Sequence, residues 1–176
     1  MVTEAQAVRE AVLSAARQMC AAARTAPKAC GADSIVTAVL TDHELHALAD
    51  RMEQIESQRA SDKPIFRRDA ALVAASTAVV LICSRRIQRG LSPCGLCGHS
   101  GCGAALASGG HCAFDDVDLG IAIGSAAALA ADLRIDNRVL YTAGYAAMEL
   151  ELLGPGVSTI MAVPLSVSPR NLFFKR

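Results

Sequence analysis

The sequence predicts an α+β fold in a single domain, a mixed β-sheet flanked by helices with a cysteine-rich loop inserted in it. Three observations predict this. Segments with apolar residues at helical spacing alternate loosely with short runs that are β-branched or continuously apolar. A length of 176 residues suffices for one sizeable core and is too short for two ordinary ones. No internal repeat or low-complexity linker divides the chain, so residues 90–114, where four cysteines gather among glycines, read as a loop within one domain spanning 1–176.

The elements follow in order. Thr3-Glu4-Ala5-Gln6 has capping-box spacing, and Val8, Val12, Ala15, Ala16, Met19 and Ala23 then recur on one helical face, predicting a helix to about Arg24 that Pro27 and Gly31 terminate. Residues 35–40 form a β-branched run and read as a strand. A second capping box at Thr41–Glu44 opens a helix through Leu45, Leu48, Met52 and Ile55. Lys63-Pro64 breaks the chain, residues 68–76 suit a helix, and residues 78–83 make a compact apolar run of the kind found in a buried strand. Beyond the cysteines, residues 119–133 are alanine-rich and apolar on nearly all sides, which predicts a central helix covered on both faces. Residues 139–142 suggest a short strand, 145–153 a helix closed by Gly154-Pro155-Gly156, and 157–163 a last strand before a proline-containing tail.

Composition narrows the function classes. Hydrophobic residues make up 52% of the chain but aromatics only 3%, so alanine and small aliphatic side chains must fill the core. Seventeen basic residues balance seventeen acidic ones with no basic run, which argues against nucleic-acid binding. The apolar runs fall short of the roughly 18 to 20 residues that cross a bilayer, so no membrane span is expected. Charges at Glu4, Arg9, Glu10 and Arg17 interrupt the first segment, unlike the core of a secretory signal, and a cytoplasmic location is expected. Thiols stay reduced there, so seven cysteines point to metal or redox chemistry over a disulfide framework.

Cys94, Cys97, Cys102 and Cys112 are spaced by two, four and nine residues. An iron-sulfur cubane needs four thiolates converging on one small object, and a flexible loop lets closely spaced cysteines turn inward. Gly95, Gly98, Gly101 and Gly103 suit such a loop, since glycine admits left-handed backbone angles and close approach of amides to sulfur. A zinc site is the second reading, with His99 or His111 able to replace one thiolate, although its second pair would usually repeat the two-residue spacing. A thiol redox or nucleophilic site is the third.

The run from Cys94 to Ala107 resembles the small [4Fe-4S] domain of Rnf-type electron-transport B subunits and corrinoid iron-sulfur proteins, where a CGxCGxxxC loop enters a short helix and a later cysteine completes the site. The interval to Cys112 is shorter here. The wider chain resembles an uncharacterised prokaryotic family described as containing a ferredoxin domain, through residues 23–28, 66–70, the cysteine loop, 118–125, Asp136-Asn137-Arg138 and Pro164-Leu165-Ser166. The resemblance implies one [4Fe-4S] cluster on Cys94, Cys97, Cys102 and Cys112. It also implies electron transfer to a redox partner protein or a small-molecule electron acceptor.

The order of elements is similar to the flavin-dependent nitroreductase fold, in which the long helix packs at a dimer core and the flavin lies between subunits. That resemblance implies a homodimer and, as an alternative function, a flavin-dependent oxidoreductase using flavin mononucleotide (FMN), with Arg24, Lys28 and Arg170 as the cations that would contact its phosphate. The arginine-rich N-terminal motif of nitroreductases is absent. A zinc-stabilised binding module is the further alternative.

Other residues have simpler readings. Cys20 and Cys83 fall on apolar faces as small hydrophobes, Cys30 is a loop thiol near Lys28, and His43 and His46 face solvent. Gly120 and Gly124, four apart, are expected to let helices pack closely, and Asp115, Asp116 and Asp118 to favour a helix N-terminus. Asp136-Asn137-Arg138 reads as a turn with an ion pair or as a cofactor contact.

Overall fold

Thr3 starts the first helix as its spacing predicts: its hydroxyl accepts the Gln6 N–H at 3.3 Å, and Gln6 Oε1 accepts the Thr3 N–H at 2.9 Å. Both halves of the capping box satisfy amides that a helix leaves unpaired, and α1 runs Glu4–Thr25. The computed structural model describes residues 1–59 and 62–174. After a short 3-10 turn at Ala29–Gly31 come β1 (Ile35–Leu40), α2 (His43–Gln58), α3 (Ile65–Ala74) and β2 (Ala78–Arg85). Then follow α4 (Cys102–Ala107), α5 (Ala113–Asp132), β3 (Asp136–Asn137), α6 (Tyr141–Glu149) and β4 (Val157–Ser166).

The α+β class holds, and the four strands lie in the order β1-β2-β4-β3. Every pairing is antiparallel where a mixed sheet was expected. Between β1 and β2 the reason is simple: two packed helices, α2 and α3, each reverse the chain, so the second strand returns opposed to the first.

Strand β2 lies between β1 and β4 and is buried on both faces, which is why its sequence reads as a continuous apolar run. Val79, Leu81 and Cys83 meet α2, α3 and α6 with Leu48, Met52, Phe66 and Ala147, whereas Ala78, Val80 and Ile82 meet α1 and α5 with Val12, Met19, Ala122 and Ala126. Two cores thus sandwich one sheet. Among the described residues no helix is long and apolar enough to cross a membrane.

Side chains bridge the helices on the first face. Pro64 offers α3 no side-chain cap, and buried Glu56 of α2 takes over, its Oε2 accepting the Phe66 N–H at 2.7 Å and the Arg67 N–H at 3.2 Å. Buried Asp69 accepts the Thr142 hydroxyl at 2.7 Å and so ties α3 to α6. Gly144 of α6 sits so close to β4 that a Cβ there would lie 1.9 Å from the Ile160 carbonyl oxygen.

Three expectations change. The strand expected at 139–142 is displaced: pairing occurs at Asp136–Asn137, Leu140 makes an isolated bridge to Ala162, and α6 begins at Tyr141. The Thr142 side chain, which looks suited to a strand, is instead engaged with Asp69. Helix α5 starts at Ala113, ahead of the expected 119, and only one of its faces is covered: Leu119, Ala122, Ala126 and Ala130 are buried while Val117 (50% exposed) and Ile121 (41%) face outward. Gly120 and Gly124 lie on that outward face, where an added Cβ would meet nothing within 4 Å, so they mediate no close packing among the described residues.

Candidate functional site

Strand β2 ends at Arg85 and α5 begins at Ala113, and the cysteine segment is strung between these two core elements. Its geometry is irregular up to Gly101. Gly98 donates its N–H to the Gly95 carbonyl at 2.9 Å and adopts φ +79°, a left-handed turn that suits glycine. Of Gly95, Gly98, Gly101 and Gly103 it alone needs that freedom; Gly101 is extended at φ 169°.

The chain then turns into α4 at Cys102 and returns so that Cys112 is the N-cap residue of α5. This brings all four expected cysteines to one pocket, which Cys94, Cys97, Cys102 and Cys112 line with Leu96, Ala105, Ala113 and Phe114. Cys112 is buried and the other three are half-buried. Among the described residues no group of three or more His, Cys, Asp or Glu side chains is gathered as the ligands of a single metal ion. The thiols surround a small apolar space with no carboxylate in its lining.

The two histidines of the segment have partners of their own. His111 Nε2 lies 2.7 Å from Asp116 Oδ2, and His99 Nε2 lies 3.5 Å from the Ser108 hydroxyl. The remaining cysteines fall outside the pocket. Cys83 is buried in β2, where burial pushes its thiol up to about 11 against a lowering hydrogen bond from the Val36 backbone. Cys20 is half-buried on α1, and Cys30 is exposed at φ +58°.

Immediately before the cysteines stands Arg89, a residue the sequence reading passed over. Its side chain is 1% exposed, and its guanidinium reaches Asp115 Oδ1 at 3.2 Å and Asp118 Oδ2 at 2.7 Å, both carboxylates being buried on α5. It also donates to the Ser34 hydroxyl at 3.1 Å and to the Ile87 carbonyl. Asp118 in turn accepts the Ala29 N–H at 3.0 Å. Burial opposes the arginine's charge, but its hydrogen bond to Asp118 and the fields of both aspartates outweigh it and raise its pKa. Burial pushes the Asp115 carboxyl up, against the lowering by the Ile87 amide and Arg89. Asp115 and Asp118 therefore are more than charges favouring a helix start. Asp115 and Asp118, three apart at the start of a largely apolar helix and on its buried side while Asp116 faces out, were the signal, because a buried pair of that kind demands a cation.

Of the three cations expected to address a flavin phosphate, Lys28 and Arg24 have structural engagements through their side chains. Lys28 Nζ bonds the carbonyls of Arg24 at 2.6 Å and Ala26 at 2.9 Å at the end of α1, a basic group favourable at a helix C-terminus. Arg24 pairs with Asp33 at 2.5 Å. Arg170 lies exposed in the tail after β4, where its carbonyl accepts the Ser168 hydroxyl. Asp136, Asn137 and Arg138 do not form the expected turn with an ion pair: Asp136 and Asn137 lie in β3, Asn171 donates to Asp136 at 2.6 Å, and Arg138 donates to the Phe173 carbonyl at 3.1 Å, which ties the tail to β3.

An antiparallel sheet covered by helices on both faces, with a four-cysteine pocket in the segment between β2 and α5, makes a nitroreductase-like fold bearing a cysteine site. Solved structures bear out the fold. An FMN-bound nitroreductase from Desulfitobacterium hafniense aligns with TM-score 0.63 at 15% identity, covering 89% of this chain and 78% of that one. The nitroreductase CinD from Lactococcus lactis, in complex with nicotinic acid, aligns with TM-score 0.60 at 15% identity over 95% and 82% of the two chains. An NADPH:FMN oxidoreductase from Vibrio harveyi, complexed with NAD+, aligns with TM-score 0.57 at 12% identity over 90% and 60%. A relative in sequence, an uncharacterized protein of Archaeoglobus fulgidus, is 35% identical over 184 residues, spanning 100% of this chain and 97% of that one. The chain belongs to the family described as uncharacterized proteins containing a ferredoxin domain (DUF2148), whose profile matches residues 108–176, a span that includes Cys112.

Proposed function

We propose that this protein is an iron-sulfur redox protein that holds one [4Fe-4S] cluster on Cys94, Cys97, Cys102 and Cys112 and passes electrons to a redox partner protein or a small-molecule acceptor. The observation that carries the reading is the meeting of these four thiols, and no other cysteine, at one apolar pocket. A single zinc ion draws its sulfurs to a point, each about 2.3 Å from the metal. A cubane takes its four thiolates one at each iron corner, farther apart than around a single ion, and four thiols lining one space suit that arrangement. Such a cluster supplies one-electron chemistry at a potential set by charge, hydrogen bonds to sulfur and exposure. The chain's part is to exclude water with Leu96, Ala105, Ala113 and Phe114 and to fix the four sulfurs in place. Residues 90–114 form the cluster loop within the single domain.

The ligand set is tested by single serine substitutions. Cys94→Ser, Cys97→Ser, Cys102→Ser and Cys112→Ser should each abolish or convert the cluster, while Cys20→Ser and Cys83→Ser should retain full iron and sulfide. Full content in Cys112→Ser would remove Cys112 from the set.

A flavin-dependent oxidoreductase is the second reading, favoured by the fold shared with FMN-bound structures. Under it Arg24 and Lys28 would have to leave their present partners to meet a phosphate, and Arg170 would have to reach it from the exposed tail. Flavin absorbance in freshly purified protein would promote it. The outward face of α5, with Val117, Ile121, Gly120 and Gly124, supports a homodimer, since an apolar stripe of this size along one helix gains stability when covered. Seven free cysteines suit a reducing compartment such as the cytoplasm.

A further inference from the structure

A buried arginine shared by two buried aspartates is a poor device for stability alone, because desolvating three charged groups offsets most of their attraction, and apolar residues of similar volume commonly serve the fold as well or better. Here two atoms of the cluster of charges, Arg89 Nε and Asp115 Oδ2, have no hydrogen-bond partner among the described residues. An arrangement that carries such a cost beside a core of aliphatic side chains calls for another explanation.

Its position supplies one. Arg89 is five residues before Cys94, and Asp115 and Asp118 are three and six residues after Cys112, so the ion triad joins the two ends of the cysteine loop. The Asp115 N–H donates to the Cys112 carbonyl at 2.9 Å, and the Asp115 carboxylate accepts the Ile87 N–H at 3.5 Å. Asp118 also fixes the Ala29 amide, and Arg89 the Ser34 hydroxyl, which anchors the same point to the segment between α1 and β1. Three of the four pocket cysteines are close together in sequence and can gather locally. Cys112 cannot: only the fold brings it to them.

We propose that Arg89 is a positioning residue for the cysteine site: by clasping Asp115 and Asp118 it sets the start of α5, and thereby holds Cys112 against the pocket of Cys94, Cys97 and Cys102. This rests on the cluster reading for its purpose, but its geometry concerns the metal-free chain as well. The neutral triple variant Arg89→Met/Asp115→Leu/Asp118→Asn removes the clasp without stranding a charge, and Asp118→Asn keeps an acceptor for the Ala29 amide.

Two readouts are taken on anaerobically purified parent and triple variant, with circular dichroism melting as the check on folding. The first is the rate of alkylation of each cysteine in metal-free protein, followed by mass spectrometry. In the parent Cys112 reacts far more slowly than Cys94, Cys97 and Cys102; in the folded variant it reacts at the rate of the loop cysteines. The second is iron loss to a chelator from loaded protein, which becomes about tenfold faster or more, as for other residues that orient metal ligands. Should the triple variant not fold, Arg89→Lys carries the test: it keeps the charge, loses the forked contact to both aspartates, and speeds both processes to an intermediate degree. A folded variant with parental Cys112 protection and parental iron retention overturns the proposal. A parent that binds neither iron nor sulfide, yet whose Cys112 is exposed by the triple substitution, overturns the cluster reading and leaves the clasp standing.

Discussion

Replacing Gly144 by alanine tests the seat of α6 on the sheet with a change of one methyl group. An added Cβ would lie 1.9 Å from the Ile160 carbonyl oxygen, 2.7 Å from its carbon and 3.1 Å from the Met161 Cα. All three are backbone atoms of a paired strand, so no side-chain rotation relieves the overlap. To restore ordinary contact the helix must retreat by roughly 1.5 Å, and Ala143, Ala146 and Ala147, all fully buried, lose packing as it goes. Overpacking a tight core costs about 1–3 kcal/mol, and this backbone contact belongs at the upper end. For a chain of this size about 3 kcal/mol lowers the melting temperature by about 6–12 °C. Thermal unfolding followed by circular dichroism, with a urea titration beside it, reads the effect. A variant melting within about 2 °C of the parent would refute the argument and mean that α6 is not seated as described. Alanine has the better helix propensity by about 1 kcal/mol, so any loss appears against that gain.

Other outcomes follow from the same geometry. Ile121→Glu places a charge on the outward face of α5 and should convert a homodimer to single chains by size exclusion with light scattering, whereas an unchanged mass would remove α5 from any interface. Glu56→Ala strands the Phe66 and Arg67 amides at the start of α3 and should cost about 2–3 kcal/mol in urea unfolding; a loss below about 0.5 kcal/mol would mean other groups satisfy them. The Cys83 thiol stays protonated in the fold up to about 11, while a thiol in the unfolded chain ionises near about 8.5. The unfolded state therefore gains from deprotonation first, and stability should fall as pH rises across that window, by at most about 1.4 kcal/mol per pH unit from this group. Cys83→Ala should make that slope shallower, and an identical slope would dismiss the shift.

The sheet and most helices were legible because periodicity reports burial. The run at 78–83 read as a buried strand, and Thr3 with Gln6 marked the start of the first helix. Cys94, Cys97 and Cys102 were legible as a local spacing, and Cys112 as the next cysteine in the chain. What stayed hidden depends on distant partners. Arg89 is a lone arginine after a strand, and nothing beside it in sequence says that two aspartates on α5 will enclose it. The covering of α5 was overestimated because alanine, glycine and aliphatic side chains at almost every position of residues 119–133 erase the contrast between a buried and an outward face. Gly144 likewise looks like any helical glycine until β4 is laid against it.

The direct test of the central claim is the iron, zinc and acid-labile sulfide content per chain of protein purified without oxygen, with an absorbance spectrum of the same sample. The account predicts about four irons and four sulfides per chain, with broad visible absorbance that bleaches on reduction. One zinc per chain with no sulfide would contradict it, and would make the pocket of Cys94, Cys97, Cys102 and Cys112 a structural clip.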